Sequence, residues 1–200
     1  MGVISNGTTL LDAGALDSGV ATGAMTLLST QTASTSATIS FTSGIDSTYD
    51  SYVFKFYDIH PANDNADFSF QVDTGTNTSY NQTITSTCFE SYHNEADSDT
   101  TLGYSTAGDL AQSTSFQPLV RGIGNDNDQS GSGELSIYSP SSTTFVKHFM
   151  ANGNLYLHND YSRNMFVAGY VNTTTALTRV QFKFNSGNID SGTIKLYGIK

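Results

Sequence analysis

Short runs of alternating apolar and polar residues dominate the chain from residue 24 onward. Tyr52-Val53-Phe54-Lys55-Phe56-Tyr57-Asp58-Ile59 is the most strand-like run. Asp67-Phe68-Ser69-Phe70-Gln71-Val72-Asp73 sets polar against apolar positions as a half-buried antiparallel strand does. Thr38-Ile39-Ser40-Phe41, Thr83-Ile84-Thr85-Ser86-Thr87-Cys88-Phe89, Gly133-Glu134-Leu135-Ser136-Ile137-Tyr138 and Phe145-Val146-Lys147-His148-Phe149 repeat the theme. So do Met165-Phe166-Val167-Ala168-Gly169-Tyr170, Val180-Gln181-Phe182-Lys183-Phe184 and Thr193-Ile194-Lys195-Leu196-Tyr197. Gly, Asn, Asp, Ser and Pro fill the breaks between them. About nine or ten short strands with no long helical period predict an all-β fold, an antiparallel β-sandwich of jelly-roll type over residues 24–200. The last two runs, joined through Gly187 and Gly192, read as a closing hairpin.

Two segments depart from this pattern. Residues 1–23 hold five of the 18 glycines and no strong period, yet Val3, Ile4, Leu10, Leu11, Leu16 and Val20 are spread through them. Such a segment predicts an extended N-terminal arm whose apolar residues, Val3, Ile4, Leu10, Leu11 and Leu16, dock on a neighbouring subunit or on the flank of their own domain. Residues 94–131 form an acidic, Gly-rich stretch in which Leu110-Ala111 and Phe116-Gln117-Pro118-Leu119-Val120 are expected as a short helix or an ordered loop. Long insertions of this kind are usually interface or functional elements.

Composition narrows the classes of function. Charged residues make up 13% of the chain, against roughly 25% in ordinary soluble domains, and Ser plus Thr exceed a quarter of it. A surface solvated by hydroxyls and amides suits β proteins that pack against copies of themselves. The net charge of −10 and the lack of any basic cluster argue against nucleic-acid binding. Lys55 is the first basic residue, so no charged leader of a secretory signal is expected, and no apolar run approaches a membrane span. Synthesis in a cytoplasm follows as the expectation. Cys88 is the single cysteine, which rules out an intrachain disulfide, and its alternating surroundings read as a small buried strand residue.

Candidate chemistry is sparse. Asp126-Asn127-Asp128-Gln129-Ser130-Gly131 begins as a calcium loop does, with Asp126, Asp128 and Ser130 at alternate positions and Glu134 as a further ligand. The twelfth position, which should be a bidentate Glu, is Ile137, and a solvated acidic turn explains the same residues. His60, His93, His148 and His158 form no zinc signature. Asp97 with Asp99, or Glu90 with Glu95, supply carboxylate pairs of the glycosidase kind, although acids in polar turns are ordinarily just solvated. Tyr92, Tyr104, Tyr156, Tyr161 and Tyr170 are candidates for a sugar platform, with core and inter-subunit packing as the competing explanation.

The run Ser186-Gly187-Asn188-Ile189-Asp190-Ser191-Gly192-Thr193-Ile194-Lys195-Leu196-Tyr197-Gly198 resembles the ending of small virion structural proteins of tailed phages, particularly marine cyanophages. The opening Ile4-Ser5-Asn6-Gly7-Thr8-Thr9-Leu10-Leu11-Asp12 and the stretch Ser141-Ser142-Thr143-Thr144-Phe145-Val146-Lys147-His148-Phe149-Met150 also look like that group. The resemblance implies a non-enzymatic virion component without cofactor. Capsid decoration or head-fibre duty, as a homotrimer contacting the major capsid protein, is the expectation. A tail fibre or adaptor and a carbohydrate-binding module for host-surface glycans are the alternatives.

Overall fold

The computed structural model describes residues 3–5, 7–12, 15–16 and 25–200. Fifteen strands follow in chain order among them: β1 (Val3–Ser5), β2 (Thr8–Asp12), β3 (Ala15–Leu16), β4 (Thr26–Thr32), β5 (Ile39–Phe41), β6 (Ser51–Pro61), β7 (Ala66–Thr74), β8 (Ile84–Asn94), β9 (Thr100–Tyr104), β10 (Gln117–Ile123), β11 (Gly131–Tyr138), β12 (Lys147–Leu157), β13 (Tyr161–Val171), β14 (Leu177–Phe184) and β15 (Ile189–Ile199). No helix occurs among the described residues.

Alternation decides which side chains meet. In β6, Tyr52, Phe54 and Phe56 point one way and are fully buried. In β7, Phe68 and Phe70 do the same, as do Phe182 and Phe184 in β14. These rings interdigitate between two sheets: Phe54 lies 5.2 Å from Phe41 and 5.4 Å from Phe182, Phe56 lies 5.4 Å from Phe68, and Phe70 lies 5.1 Å from Phe149. Burying such rings is the main favourable term, each worth about 1.5–3 kcal/mol against exposure.

One face of the sandwich is the four-stranded sheet β5-β14-β7-β10, and the other is the eight-stranded sheet β4-β15-β6-β11-β12-β13-β8-β9. Every neighbouring pair is antiparallel, and a single bridge from Ile123 to Leu157 joins the two sheets along one side. Leaving aside the hairpins β8–β9 and β12–β13, the remaining strands are ordered 1-8-3-6 in one sheet and 2-7-4-5 in the other. That is the jelly-roll arrangement of two Greek keys, as the alternation predicts. The two hairpins widen one sheet only.

Two expectations are corrected, and a third gains detail: in the N-terminal segment the extended strands β1, β2 and β3 form an antiparallel meander of their own, with Ile4 opposite Thr9 and Leu11 opposite Leu16. Gly7, at φ +79°, supplies the left-handed turn that lets the backbone of this segment satisfy itself. Val20 lies outside the described residues.

The stretch 94–131 is not a helix or a single loop, because it contains β9 and the core strand β10, with Leu119, Val120 and Ile123 buried. Between them, residues 105–116 run along the edge of β8, where Ser86 N donates to Leu110 O and Ile84 exchanges two hydrogen bonds with Ser113. Two buried glutamines fasten this run: Gln117 Nε2 donates to Gly108 O at 2.8 Å, and Gln71 Nε2 donates to Thr114 O and Ser115 O.

The last two strands do not form a hairpin. β14 pairs with β5 and β7, whereas β15 pairs with β4 and β6 in the opposite sheet. Their apolar faces therefore meet across the core rather than side by side. Gly187, at φ +72°, turns the connection, and a Cβ there would press on the Asn63 side chain.

Candidate functional site: the outer face and tips of the added hairpins

The outward positions of β8, β9, β12 and β13 follow from register. Phe89 sits opposite Tyr104 on one side and Phe166 on the other, and Phe166 sits opposite Asn152. One step along the strands, Thr87, Ala168 and Met150 form a second row, and His148 with Tyr170 begins a third. Phe89 and Phe166 stack at 4.8 Å with an interplanar angle of 11°. Leu102 is 75% exposed, Tyr104 58% and Met150 57%, and Phe89, Phe166 and Tyr138 are also exposed. Together these side chains make a contiguous apolar patch of the kind that marks an interaction surface.

Charge is sorted on these four strands. They carry three charged residues, Glu90, Lys147 and Arg163, and alternation turns all three to the inner face. Lys147 is fully buried, with its ammonium donating to Phe145 O at 3.1 Å and Thr173 O at 3.0 Å, and burial lowers its pKa. Arg163 Nε lies 3.7 Å from Glu90 Oε2, and its Nη1 donates to Arg121 O at 3.1 Å. The outer face of the added strands thus holds no Asp, Glu, Lys or Arg in a chain of net charge −10. Farther across the sheet the polar surface returns, with Lys55 and Glu134 paired at 3.4 Å.

At the ends of the hairpins the chemistry changes. Tyr156, Tyr161, His93, Glu95, Asn154 and Ser162 line a cleft of about 290 Å³. Glu95 N donates to Asp160 O at 3.1 Å, so the β8–β9 turn is tied to the β12–β13 turn through backbone. Tyr156 Oη lies 3.0 Å from Glu95 Oε1 and 3.3 Å from Asp160 Oδ1. The hydrogen bond to Glu95, which favours the protonated phenol, pushes the Tyr156 pKa up to about 12. Tyr161 Oη donates to Asp99 Oδ2 at 3.1 Å, which raises its pKa in the same way.

Of the five candidate tyrosines, Tyr156 and Tyr161 line this cleft, and the Tyr92 ring lies 5.5 Å from that of Tyr161, edge to face. Tyr104 lies instead on the apolar face, donating to Asp109, and Tyr170 packs on His148. The carboxylate pair Glu90 and Glu95 is split, Glu90 facing inward and Glu95 lining the cleft. Asp97 Oδ1 lies 3.0 Å from His93 Nε2.

The candidate calcium ligands are not gathered. Asp126 and Asp128 lie exposed in the turn before β11, Ser130 O accepts from Tyr156 N, and Glu134 faces Lys55. No group of three or more His, Cys, Asp or Glu suited to a metal occurs among the described residues. Cys88 is buried, and burial pushes its thiol up to about 11. In the N-terminal meander, Val3 and Ile4 are exposed, Ile4 at 65%, Leu11 is partly so and Leu10 is half-buried. Leu16 takes its place in β3, and its side chain lies outside the described residues.

The outward aromatic patch was missed by sequence reading. Its signal was there in Met165-Phe166-Val167 and Cys88-Phe89, where apolar residues occupy both parities of a strand, so that one face must emerge uncovered or be covered by a partner. No family model matches the chain, and no curated protein or solved structure matches it.

Proposed function

We propose that this chain is a non-enzymatic structural protein of a phage virion, a decoration or head-fibre subunit on the capsid exterior that packs against copies of itself. The observation that carries the reading is the uncharged apolar outer face of β8, β9, β12 and β13. On a chain of net charge −10, a face whose strands carry no outward carboxylate is where two copies approach with least repulsion. The resemblance of both ends and the middle of the chain to tailed-phage virion proteins supports the same reading, with a tail fibre or adaptor as the second location.

Magnitudes assign the N-terminal segment a part. Six roughly half-exposed apolar side chains on each of two facing copies contribute on the order of 12 kcal/mol together when covered. Association costs an estimated 4–15 kcal/mol before anything is gained. Set against the upper part of that range the face alone leaves little surplus, and in this reading stable attachment draws on Val3, Ile4, Leu10, Leu11 and Leu16 as well.

Analytical ultracentrifugation tests the proposal. The intact chain is expected to sediment as a trimer, Phe89→Ser with Met150→Ser to shift it toward monomer, and deletion of residues 1–23 to abolish binding to capsids lacking the protein while the sandwich stays folded. A stable monomer with no affinity for virion parts would overturn it.

A further inference from the structure

We propose that the cleft at the tips of β8, β12 and β13 is a binding site for a single neutral sugar ring. This inference is independent of self-assembly, because the cleft lies beyond the apolar patch and is lined by different chemistry.

The size sets the first bound. A cleft of about 290 Å³ sits at the lower end of the ~300–1,000 Å³ span of small-molecule sites, enough for one pyranose ring. Its hydrogen-bonding inventory sets the second. A phenol has one proton, so Tyr156 Oη donates to Glu95 or Asp160, and the other, exposed carboxylate is open to accept from water or from a ligand. Asn154 spends its amide protons on Ser162 Oγ at 3.2 Å and Arg163 O at 2.9 Å, leaving Oδ1 as an acceptor. The lining is therefore rich in acceptors, and neither Lys nor Arg is part of it.

Such a wall selects a ligand with several O–H donors. Anions are repelled by Glu95 and Asp160, and the described residues hold no group of three metal-binding side chains. Tyr156 and Tyr161 add aromatic surface for the C–H face of a ring. The site is also built in advance: the Glu95–Asp160 backbone bond fixes the two turns together, and Asn94 Oδ1 accepts from Ser98 N and Asp99 N to hold the turn after β8. Little ordering cost then falls on binding.

The test titrates the intact protein with the methyl glycosides of glucose, galactose, mannose and N-acetylglucosamine, read by saturation-transfer NMR and calorimetry, with sialic acid and choline as contrasting probes. At least one neutral glycoside is expected to bind with millimolar or better affinity. Glu95→Gln and Tyr156→Ala should each weaken it about tenfold or more, whereas Phe89→Ser should not. Thermal midpoints verify folding, and because Glu95 is an exposed turn residue, Glu95→Gln carries the test if Tyr156→Ala does not fold. The proposal is overturned if no neutral glycoside binds, if sialic acid or choline binds more tightly than every neutral glycoside, or if the Glu95 variant binds as well as the parent. Sugar binding is read whatever the oligomeric state, so its failure leaves the assembly reading standing and the reverse also holds.

Discussion

Replacing Phe182 by alanine should be among the most damaging single changes in this protein. Phe182 is fully buried in β14, with its ring 5.4 Å from Phe54, 5.7 Å from Phe68 and 6.1 Å from Phe41. Those partners come from both sheets, so truncation opens a void at the seam of the sandwich and removes three ring contacts. Buried Phe→Ala changes cost about 3–5 kcal/mol, and loss of aromatic pairs places this one at the upper end. For a chain of this length each kcal/mol moves the thermal midpoint by about 2–4 °C, which gives a drop of about 8–20 °C. Phe89→Ala makes the same chemical change at a site 46% exposed and stacked on Phe166, and should cost no more than about 1 kcal/mol in the single chain. Urea unfolding of both variants at low protein concentration, where self-association does not contribute, measures the contrast. A Phe182→Ala loss below about 2 kcal/mol, or a loss equal to that of Phe89→Ala, would refute the assignment of the phenyl cluster as the core.

Gly133→Ala should destabilise by about 1–3 kcal/mol or more, since its Cβ would fall 2.3 Å from Asn152 O and 2.7 Å from Phe56 Cζ, whereas Gly103→Ala, with open space around it, should be neutral; urea midpoints separate the two. Lys147 predicts a pH effect of definite sign. Between its lowered folded pKa and the ordinary 10.5, the unfolded chain binds more protons, so stability rises with pH across that window. Lys147→Met should remove this rise, seen as the difference between the two stability–pH curves, and identical slopes would contradict it. Cys88, buried and with its thiol near 11, should react with iodoacetamide only as fast as the protein opens; labelling at the rate of a free thiol would place it at the surface instead.

Period-two alternation located most of the frame. Tyr52 to Ile59, Asp67 to Asp73 and Val180 to Phe184 fall within strands β6, β7 and β14, and a sandwich follows from their number. Pairing was harder to read. A turn sequence between two strands looks the same whether the chain folds back beside itself or crosses to the other sheet, and only the core decides that β14 and β15 face each other. β10 escaped notice because Gln117 and Pro118 break its apolar run, while the amide of Gln117 is satisfied by contacts distant in sequence, at Ser86 and Gly108. The strand pairing within the arm went unread although Asn6-Gly7 is the dipeptide that favours a tight hairpin. Tyr156 and Tyr161 were legible as candidates, but their partners Glu95, Asp99 and Asp160 come from two separate hairpin turns, a juxtaposition that spacing along the chain does not encode.

The strand order also fixes when this protein can fold during its synthesis. β4 is the first strand of the jelly roll to leave the ribosome, yet among the described residues its partner in the sheet is β15 alone, with Thr32 meeting Thr193 across 161 positions. β15 is also the strand that lies between β4 and β6. Until β15 emerges, β4 has no ladder and β6 lacks one of its two neighbours, so the aromatic faces of the early strands wait uncovered. Closure over such a separation is slow. Translation speed and chaperone supply are accordingly the quantities to vary when this protein is produced, because both set how long the nascent chain is shielded.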